Sequence, residues 1–212
     1  MVDKEAVLDG YDTVARVYTE ERSRSDKEHK ALSSLLHFLS LESRVLDAGC
    51  GGGKPVLRQL SSQLQQTIGL DFSTKQLEIA ASKAPEATLL CGDMTQVPLT
   101  DGCVDAIFAS HSLIHIPADT HQTVIDEFAR VLRPGGRLLV SEGPQKWEGT
   151  NRNWLDAGAE MQWDIAGPET TRAQLETAGF HIETEYGAPN TLDEDEDEEA
   201  GWIFFETTLT HS

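Results

Sequence analysis

The stretch Arg44-Val45-Leu46-Asp47-Ala48-Gly49-Cys50-Gly51-Gly52-Gly53 decides the fold of this chain. It begins with a short apolar run of the kind that a buried parallel strand contains. The glycines that follow favour a tight turn and let the backbone approach a ligand closely. Pro55 suits the first turn of a helix, and Val56, Leu57 and Leu60 continue at helical spacing. We therefore predict a strand, a glycine loop and a helix, with backbone N–H groups at the helix start directed at a ligand.

The spacing of the glycines distinguishes between the known types of nucleotide-binding loop. A dinucleotide fingerprint, G-x-G-x-x-G/A, would need a small residue at Lys54 or Val56, and neither position fits. A P-loop would need Gly at Ala48 and Ser or Thr at Pro55, although Gly53 and Lys54 match its end. The pattern that fits is an acid followed by G-x-G-x-G, formed by Asp47, Gly49, Gly51 and Gly53. A glycine-rich turn that binds no ligand is the alternative.

This pattern resembles the first motif of the class I S-adenosylmethionine (SAM)-dependent methyltransferases, Val-Leu-Asp-x-Gly-Cys-Gly-x-Gly. The phrase Arg-Val-Leu-Arg-Pro-Gly-Gly-x-Leu-Leu, which begins at Arg130, is also common in that family. The resemblance extends from about Val45 to Gly143. It implies an α/β fold with a doubly wound, mostly parallel seven-stranded sheet and helices on both faces, and it implies SAM as the cofactor.

Acidic residues also follow the next two predicted strands. Asp71 ends a buried run that starts at Thr67, and a carboxylate at this position can accept both ribose hydroxyls of an adenosine. The third strand runs from Ala87 to Met94; the resemblance implies that Asp93 binds the adenine amino group and that Met94 packs on the ring. A turn acid and a core methionine are the alternatives. The predicted cofactor-binding residues are Asp47, Gly49, Cys50, Gly51, Gly53, Asp71, Phe72, Gln76, Asp93, Met94 and Ser110.

Two histidines follow the fourth predicted strand, at the carboxyl end where open α/β sheets bind ligands. His111 is predicted to face the cofactor and, as a neutral imidazole with a pKa near the reference of ~6.5, to accept a proton from a hydroxyl or ammonium acceptor. His115 lies between two isoleucines and is predicted to be a packed residue. Glu142, at the end of the fifth predicted strand, is the alternative base. Either histidine could instead only bond a neighbouring backbone group.

The chain is predicted to form one domain, residues 1–212. Residues 1–42 would form an N-terminal helical cap, 43–143 the SAM-binding core, 144–167 a variable segment on the substrate side, and 168–212 a C-terminal helix and edge strands. In the cap, one helix is predicted from Asp3 to about Lys30 and a second over roughly 27–39. Tyr11 and Tyr18 of the first helix indicate either a lid over the cofactor or a helix packed on the domain surface.

Residues 144–167 show no periodic pattern but contain Trp147, Trp154 and Trp163. Large aromatic side chains among polar ones suit a pocket for an organic substrate, although a loop held by its own tryptophans is an equal alternative. The unbroken acidic run from Asp193 to Glu199 is predicted to be a solvated loop between the last two strands.

The composition limits the partners of the protein. The 36 acidic and 17 basic residues give a formal charge of −19, which repels nucleic acid and anionic membranes. Such a balance is typical of a protein from a high-salt cytoplasm, where salt screens the self-repulsion. The three cysteines lack metal-ligand spacing, and no apolar run reaches the ~18–20 residues of a membrane span. We expect a cytoplasmic protein without a signal peptide and without a metal.

The function expected from these patterns is methyl transfer from SAM to a small-molecule acceptor. The sulfonium is already an activated leaving group, so alignment and exclusion of water are the main tasks of the protein. A methyltransferase acting on nucleic acid is disfavoured because Ser110-His111-Ser112-Leu113 stands where an Asn/Asp-Pro-Pro-Tyr/Phe motif would be. Two further functions fit the same motifs: methylation of a protein, and SAM binding by a module without transferase activity.

Overall fold

The computed structural model describes residues 2–22, 26–187 and 201–210. Six α-helices and nine strands fall within these ranges. The helices are α1 (Lys4–Glu21), α2 (Asp26–His37), α3 (Val56–Gln63), α4 (Thr74–Lys83), α5 (His121–Val131) and α6 (Pro168–Thr177). The strands are β1 (Arg44–Ala48), β2 (Gln66–Asp71), β3 (Thr88–Cys91), β4 (Val104–Ala109), β5 (Leu132–Glu142), β6 (Trp147–Trp154), β7 (Ala159–Ile165), β8 (Phe180–Tyr186) and β9 (Ile203–Leu209).

Seven of these strands form one sheet in the order β3-β2-β1-β4-β5-β9-β8. Strands β1 to β5 pair in parallel, whereas β9 runs antiparallel to both β5 and β8. The order reverses at β1, with β2 on one side and β4 on the other, so the chain winds outward in two directions. The predicted doubly wound, mostly parallel seven-stranded sheet is therefore confirmed.

Side chains that alternate along the central strands create two apolar layers. Leu46 and Ile107 face one layer, in which α5 packs through residues such as Phe128. Val45 and Phe108 face the opposite layer, which α2 and α3 cover. Because successive side chains of a strand point to opposite faces, each central strand contributes to both layers. Helices therefore cover both faces of the sheet, as the sequence predicted.

The ends of several helices and strands differ from the predicted ones. The first helix stops at Glu21 rather than near Lys30, and α2 begins at Asp26. Pro55 precedes α3 instead of occupying its first turn. The turn-forming residues Arg133-Pro134-Gly135-Gly136 predict a turn before the fifth strand, but they lie inside β5, where the pairing with β4 shifts register. The four residues form an irregularity between Leu132, which pairs with Val104, and Arg137, which pairs with Ala106. The strand therefore continues on both sides of them.

The segment 144–167, predicted without regular structure, contains the antiparallel hairpin of β6 and β7. Its alternation is hidden in the sequence because β6 is exposed along nearly its whole length. β7 places several side chains in the interior, among them Met161, which packs with Val7 of α1, whereas β6 contributes Trp154 at its end. The segment lacks a periodic pattern of apolar residues because one strand of the hairpin is exposed to solvent. The acidic run Asp193–Glu199 lies outside the described residues.

Candidate active site

A pocket opens at the carboxyl end of the parallel strands, beside the point where the strand order reverses. It encloses about 680 Å³ of space free of atoms, including the part that is open to solvent. Its walls come from the ends of β1, β2 and β4, from the turn after β3 and from α1. The lining residues are Lys4, Tyr11, Tyr18, Gly49, Gly51, Leu70, Asp71, Phe72, Gly92, Asp93, Met94, Ser110, His111, Ser112, His115 and Ile116.

The glycine loop after β1 forms the floor of this pocket. The backbone N–H groups of Gly49 and Cys50 donate to the Leu70 carbonyl, which fixes the loop against the end of β2. Gly49 has a φ of +78°, and a Cβ at this position would collide with the Ser112 side chain. Gly51 has a φ of +52°, but a Cβ there would meet no atom closer than 3.9 Å. The missing side chain at Gly51 therefore leaves open space in the pocket, of the kind a ligand occupies.

The Asp71 carboxylate is fixed at the edge of the glycine loop. Its Oδ2 accepts the backbone N–H of Gly51 at 2.8 Å, and its Oδ1 accepts the N–H of Ser73 at 2.9 Å. Burial raises the pKa of Asp71 to about 6, and the backbone N–H donors of Ser73, Gly51 and Phe72 offset only part of that effect. A carboxylate offers about four acceptor sites, so Asp71 can still accept from a further donor. The arrangement suits a pair of ribose hydroxyls.

The Asp93 carboxylate stands at the opposite end of the pocket. Its Oδ1 accepts hydrogen bonds from the backbone and hydroxyl of Thr95, and its Oδ2 pairs with Lys4 of α1 at 2.7 Å. Hydrogen bonds from Lys4 and Thr95 lower the pKa of Asp93 despite partial burial, so the group is an anion at neutral pH. Met94 lines the pocket beside it. The predicted adenine-binding pair is thus in the pocket wall, with Lys4 as an additional partner.

Seven of the predicted cofactor-binding residues line the pocket: Gly49, Gly51, Asp71, Phe72, Asp93, Met94 and Ser110. The other four are placed behind the glycine loop. Cys50 and Gly53 pack toward Gly69 and Ala80 respectively, and Gln76 is buried within hydrogen-bonding distance of Thr19. Asp47 is buried, and desolvation together with the nearby acids raises its pKa well above the usual value. These four positions support the loop and do not form the wall.

The two histidines after β4 both line the pocket. The backbone N–H of His111 donates to the Ser141 hydroxyl, and its ring meets Trp202 edge-on with the centroids 4.5 Å apart. Burial, with smaller effects of Arg22 and His115, lowers the pKa of His111 to about 3. The imidazole is therefore neutral, but the predicted pKa of ~6.5 was wrong because burial disfavours the charged ring, so His111 is a weaker proton acceptor than an ordinary histidine. His111 as the base stays a prediction.

His115 is buried, as expected of a packed residue, but it also lines the pocket. Its Nε2 lies 2.8 Å from the Tyr11 hydroxyl, and its Nδ1 lies 2.9 Å from the Gln162 carbonyl oxygen. The flanking Ile114 and Ile116 are indeed buried, which explains the prediction. Glu142, the alternative base, is fully buried; it accepts from Thr171 and from the Gly143 N–H, and it does not line the pocket. Its contacts are those of a structural carboxylate.

Helix α1 supplies part of the pocket wall, and its role as a lid over the cofactor stays a prediction. Tyr11 and Tyr18 both line the wall, with their ring centroids 5.4 Å apart. The helix is held at its start by the Asp3 N–H, which donates to Gln162, and in its middle by Asp12, which accepts from Ser73. Lys4 is a wall residue that sequence reasoning missed, because it belongs to no motif.

No group of three or more potential metal-binding side chains occurs among the described residues. Within the same ranges, no helix has the length and apolar character needed to cross a membrane.

Residues 46–140 match a protein family described as a methyltransferase domain. This part of the chain, less than half of its length, is similar to methyltransferase domains. The matched range contains the glycine loop, Asp71, Asp93 and both histidines after β4, so it includes the pocket wall contributed by the sheet. S-adenosylmethionine is the cofactor that this family and the pocket support.

Two curated relatives are similar to this part of the chain. The 27-O-demethylrifamycin SV methyltransferase of Amycolatopsis mediterranei is 37% identical over 105 residues, which cover 47% of this chain and 38% of that protein. The O-methyltransferase rstn1 of Aspergillus nomiae is 33% identical over 105 residues, covering 47% of this chain and 46% of that protein. The alignments thus span less than half the length of either relative.

The likeness to solved structures extends over nearly the whole chain. The methyltransferase solved in a complex with the Haloferax volcanii Trm112 methyltransferase activator superposes with a TM-score of 0.75. The match covers 97% of this chain and 98% of that one, at 20% sequence identity. At this identity the match concerns the fold alone, and it agrees with the class I methyltransferase fold described above.

Proposed function

We propose that this protein transfers the methyl group of SAM to a hydroxyl group of a small organic molecule. The observation that carries the proposal is the pocket at the sheet edge, where the glycine loop, Asp71 and Asp93 line one wall and polar side chains continue beyond them. The O-methyltransferases among the relatives support a hydroxyl as the acceptor. When bound, SAM supplies an activated methyl group on a sulfonium.

The residues of the pocket have separate tasks in this proposal. The glycine loop leaves room for the methionine part of the cofactor, Asp71 accepts the ribose hydroxyls, and Asp93 accepts the adenine amino group. Desolvation by α1, through Tyr11 and Tyr18, keeps water from competing with the acceptor. Catalysis then depends mainly on alignment, since two reactants held in line behave as an intramolecular pair.

The acceptor is proposed to approach along the β6–β7 hairpin. A second depression lies there, lined by Trp147, Thr150, Asn151, Arg152, Trp163, Ile165 and Trp202. Two ring contacts connect it to the pocket: Trp202 meets His111 at 4.5 Å, and Trp163 meets His115 at 5.9 Å between centroids. Flat aromatic surfaces with polar groups at their edge suit an organic acceptor. The segment 144–167 thereby keeps its proposed substrate-side role.

A SAM-binding module without transferase activity would be favoured by a pocket filled by Trp147, Trp154 or His111 beyond the cofactor. Trp147 is 47% exposed, and neither it nor Trp154 lines the pocket. His111 does line it, with its ring against Trp202, and is the feature that favours the module. The polar side chains of Ser110 and Ser112 in the same wall support a transferase.

The proposal is tested in two steps with the full chain. Calorimetry with SAM should give a saturable binding heat, while NADH should give little or none because the dinucleotide fingerprint is absent. A panel of hydroxylated probes, from benzyl alcohol to catechol and flat polycyclic phenols, is then screened for release of S-adenosylhomocysteine. A protein that binds SAM but methylates none of the probes would favour the non-catalytic module, and one that does not bind SAM would refute both proposals.

A further inference from the structure

We propose that Tyr11 and His115 form a proton relay that takes the proton of the acceptor hydroxyl during methyl transfer. This inference rests on the proposed function, because it deepens the chemistry of the same pocket. It assigns the role of proton acceptor to a pair that joins α1 to the segment after β4, in place of His111 alone.

Two contacts determine the hydrogen positions of the pair. The Gln162 carbonyl oxygen, 2.9 Å from His115 Nδ1, can only accept, so Nδ1 carries a proton. In a neutral imidazole the other nitrogen is then bare. The Tyr11 hydroxyl, 2.8 Å from Nε2, must therefore donate to it. The bare nitrogen is the one that faces the tyrosine, which is the arrangement a relay needs.

The surroundings hold both members in place. The Tyr11 ring meets His115 edge-on with the centroids 5.1 Å apart, and it meets Trp154 in the same way at 5.4 Å. The start of α1 is fixed through Gln162, the residue whose carbonyl orients the histidine. Both Tyr11 and His115 line the pocket, and the Tyr11 hydroxyl also forms a hydrogen bond with Tyr18. In the relay, the acceptor hydroxyl takes the place of Tyr18 as the second partner of the Tyr11 oxygen.

The proposed step is balanced in atoms and charge. The acceptor oxygen bonds to the methyl carbon as the methyl–sulfur bond breaks, and the electron pair of that bond stays on sulfur. The acceptor O–H proton passes to the Tyr11 oxygen, and the Tyr11 hydroxyl proton passes to His115 Nε2. The positive charge of the sulfonium is thus replaced by that of an imidazolium, which later loses its proton to solvent.

The electrostatics of the pocket are compatible with this transfer. Burial lowers the pKa of His115 to about 4, and it raises the pKa of Tyr11 well above the usual value. Both groups are therefore neutral before transfer, which avoids a second cation beside the sulfonium. A methylated hydroxyl that still carries its proton is a far stronger acid than an imidazolium. A weak base is therefore sufficient for an acceptor that loses its proton only as the new bond forms.

Single-turnover rates of two matched variants test the relay, using the hydroxylated probe that the wild type methylates fastest. Tyr11→Phe keeps the ring contacts and removes the hydroxyl. His115→Asn keeps a donor for Gln162 and removes Nε2. Each should lower the rate by about 10²-fold or more while changing the SAM dissociation constant less than about threefold. Tyr186→Phe is the control, because that hydroxyl bonds Glu206 away from the pocket and its loss should leave the rate unchanged.

The relay is overturned if Tyr11→Phe and His115→Asn both transfer methyl at the wild-type rate. It is also overturned if His111→Asn abolishes transfer while His115→Asn does not. Asparagine suits the positive φ of residue 111, so this comparison does not depend on a strained variant.

A second measurement needs neither cofactor nor acceptor. Nitrogen-15 NMR of histidine-labelled protein should show His115 with a protonated Nδ1 and a bare Nε2, and Tyr11→Phe should shift the Nε2 resonance. A protonated Nε2 in the wild type would overturn the relay even if methyl transfer is observed. Failure to bind SAM, by contrast, would refute the proposed function whatever the tautomer.

Discussion

Asp71 and Gly51 are joined by a hydrogen bond of 2.8 Å between a carboxylate oxygen and a backbone N–H. The bond connects the end of β2 to the glycine loop that follows β1. The carboxylate proposed to bind the ribose therefore also holds the loop in shape. A change at Asp71 should affect two parts of the cofactor site together.

Replacement of Asp71 by alanine should weaken SAM binding by about 1.5–3 kcal/mol, the usual scale for hydrogen bonds to a charged group. That loss corresponds to roughly 10- to 150-fold in the dissociation constant, measurable by calorimetry. Asp126→Ala is the control, because Asp126 is exposed on α5 and lies outside the pocket wall. Unchanged affinity in Asp71→Ala would reject the assignment of this residue to the cofactor.

Acidification should weaken SAM binding through the same carboxyl group. Because the pKa of Asp71 is raised to about 6, the group is ionised above that pH and protonated below it. The protonated form is the poorer acceptor, so affinity should fall about tenfold as the pH is lowered from about 7 to 5. Calorimetry across this range measures the effect. In Asp71→Asn the dependence of SAM affinity on pH should disappear. If the affinity of this variant still falls between about pH 7 and 5, another group is responsible for the titration.

Trp147→Ala should weaken binding of the acceptor and leave binding of the cofactor unchanged. The side chain is 47% exposed and lines the depression on the hairpin, so its loss should cost the fold little. An aromatic contact is worth about 0.5–1.5 kcal/mol, which predicts a KM for a flat probe raised by roughly 2- to 10-fold. Steady-state kinetics with a saturating SAM concentration measures it. Leu41→Ala removes another exposed apolar side chain, one that lines neither the pocket nor the depression, and should change neither constant. An unchanged KM in Trp147→Ala would remove the hairpin from the acceptor site.

Potassium chloride should stabilise the protein well beyond the small change expected for a charge-balanced domain. The formal charge of −19 makes the folded state repel itself at low ionic strength, and salt screens that repulsion. Thermal unfolding followed by circular dichroism from low salt to molar potassium chloride checks this. A flat or falling melting temperature would contradict the interpretation of the acidity as an adaptation to high salt.

The sequence predicted those parts of the fold and site that depend on local pattern. The glycine loop and the ends of β1 and β2 follow from apolar runs that stop at Asp47 and Asp71, so these positions were recognisable. The proximity of Tyr11 to His115 could not be recognised in the same way. The two residues are 104 positions apart, and the spacing of apolar residues does not indicate which helix packs against which strand end. The hairpin was missed for another reason. Strand β6 is exposed to solvent along most of its length, so its sequence does not alternate between apolar and polar residues.

The place of β9 in the sheet has a consequence for how the chain folds. Strand β8 precedes β9 in the chain but contacts the rest of the sheet only through it. During synthesis, β8 therefore lacks its neighbour until Ile203–Leu209 have emerged, and the edge of β5 stays uncovered for the same period. Phe204 and Phe205 then close both apolar layers in one event. Pairings between segments far apart in the chain form slowly, so this final insertion is where unfinished chains are most exposed to aggregation.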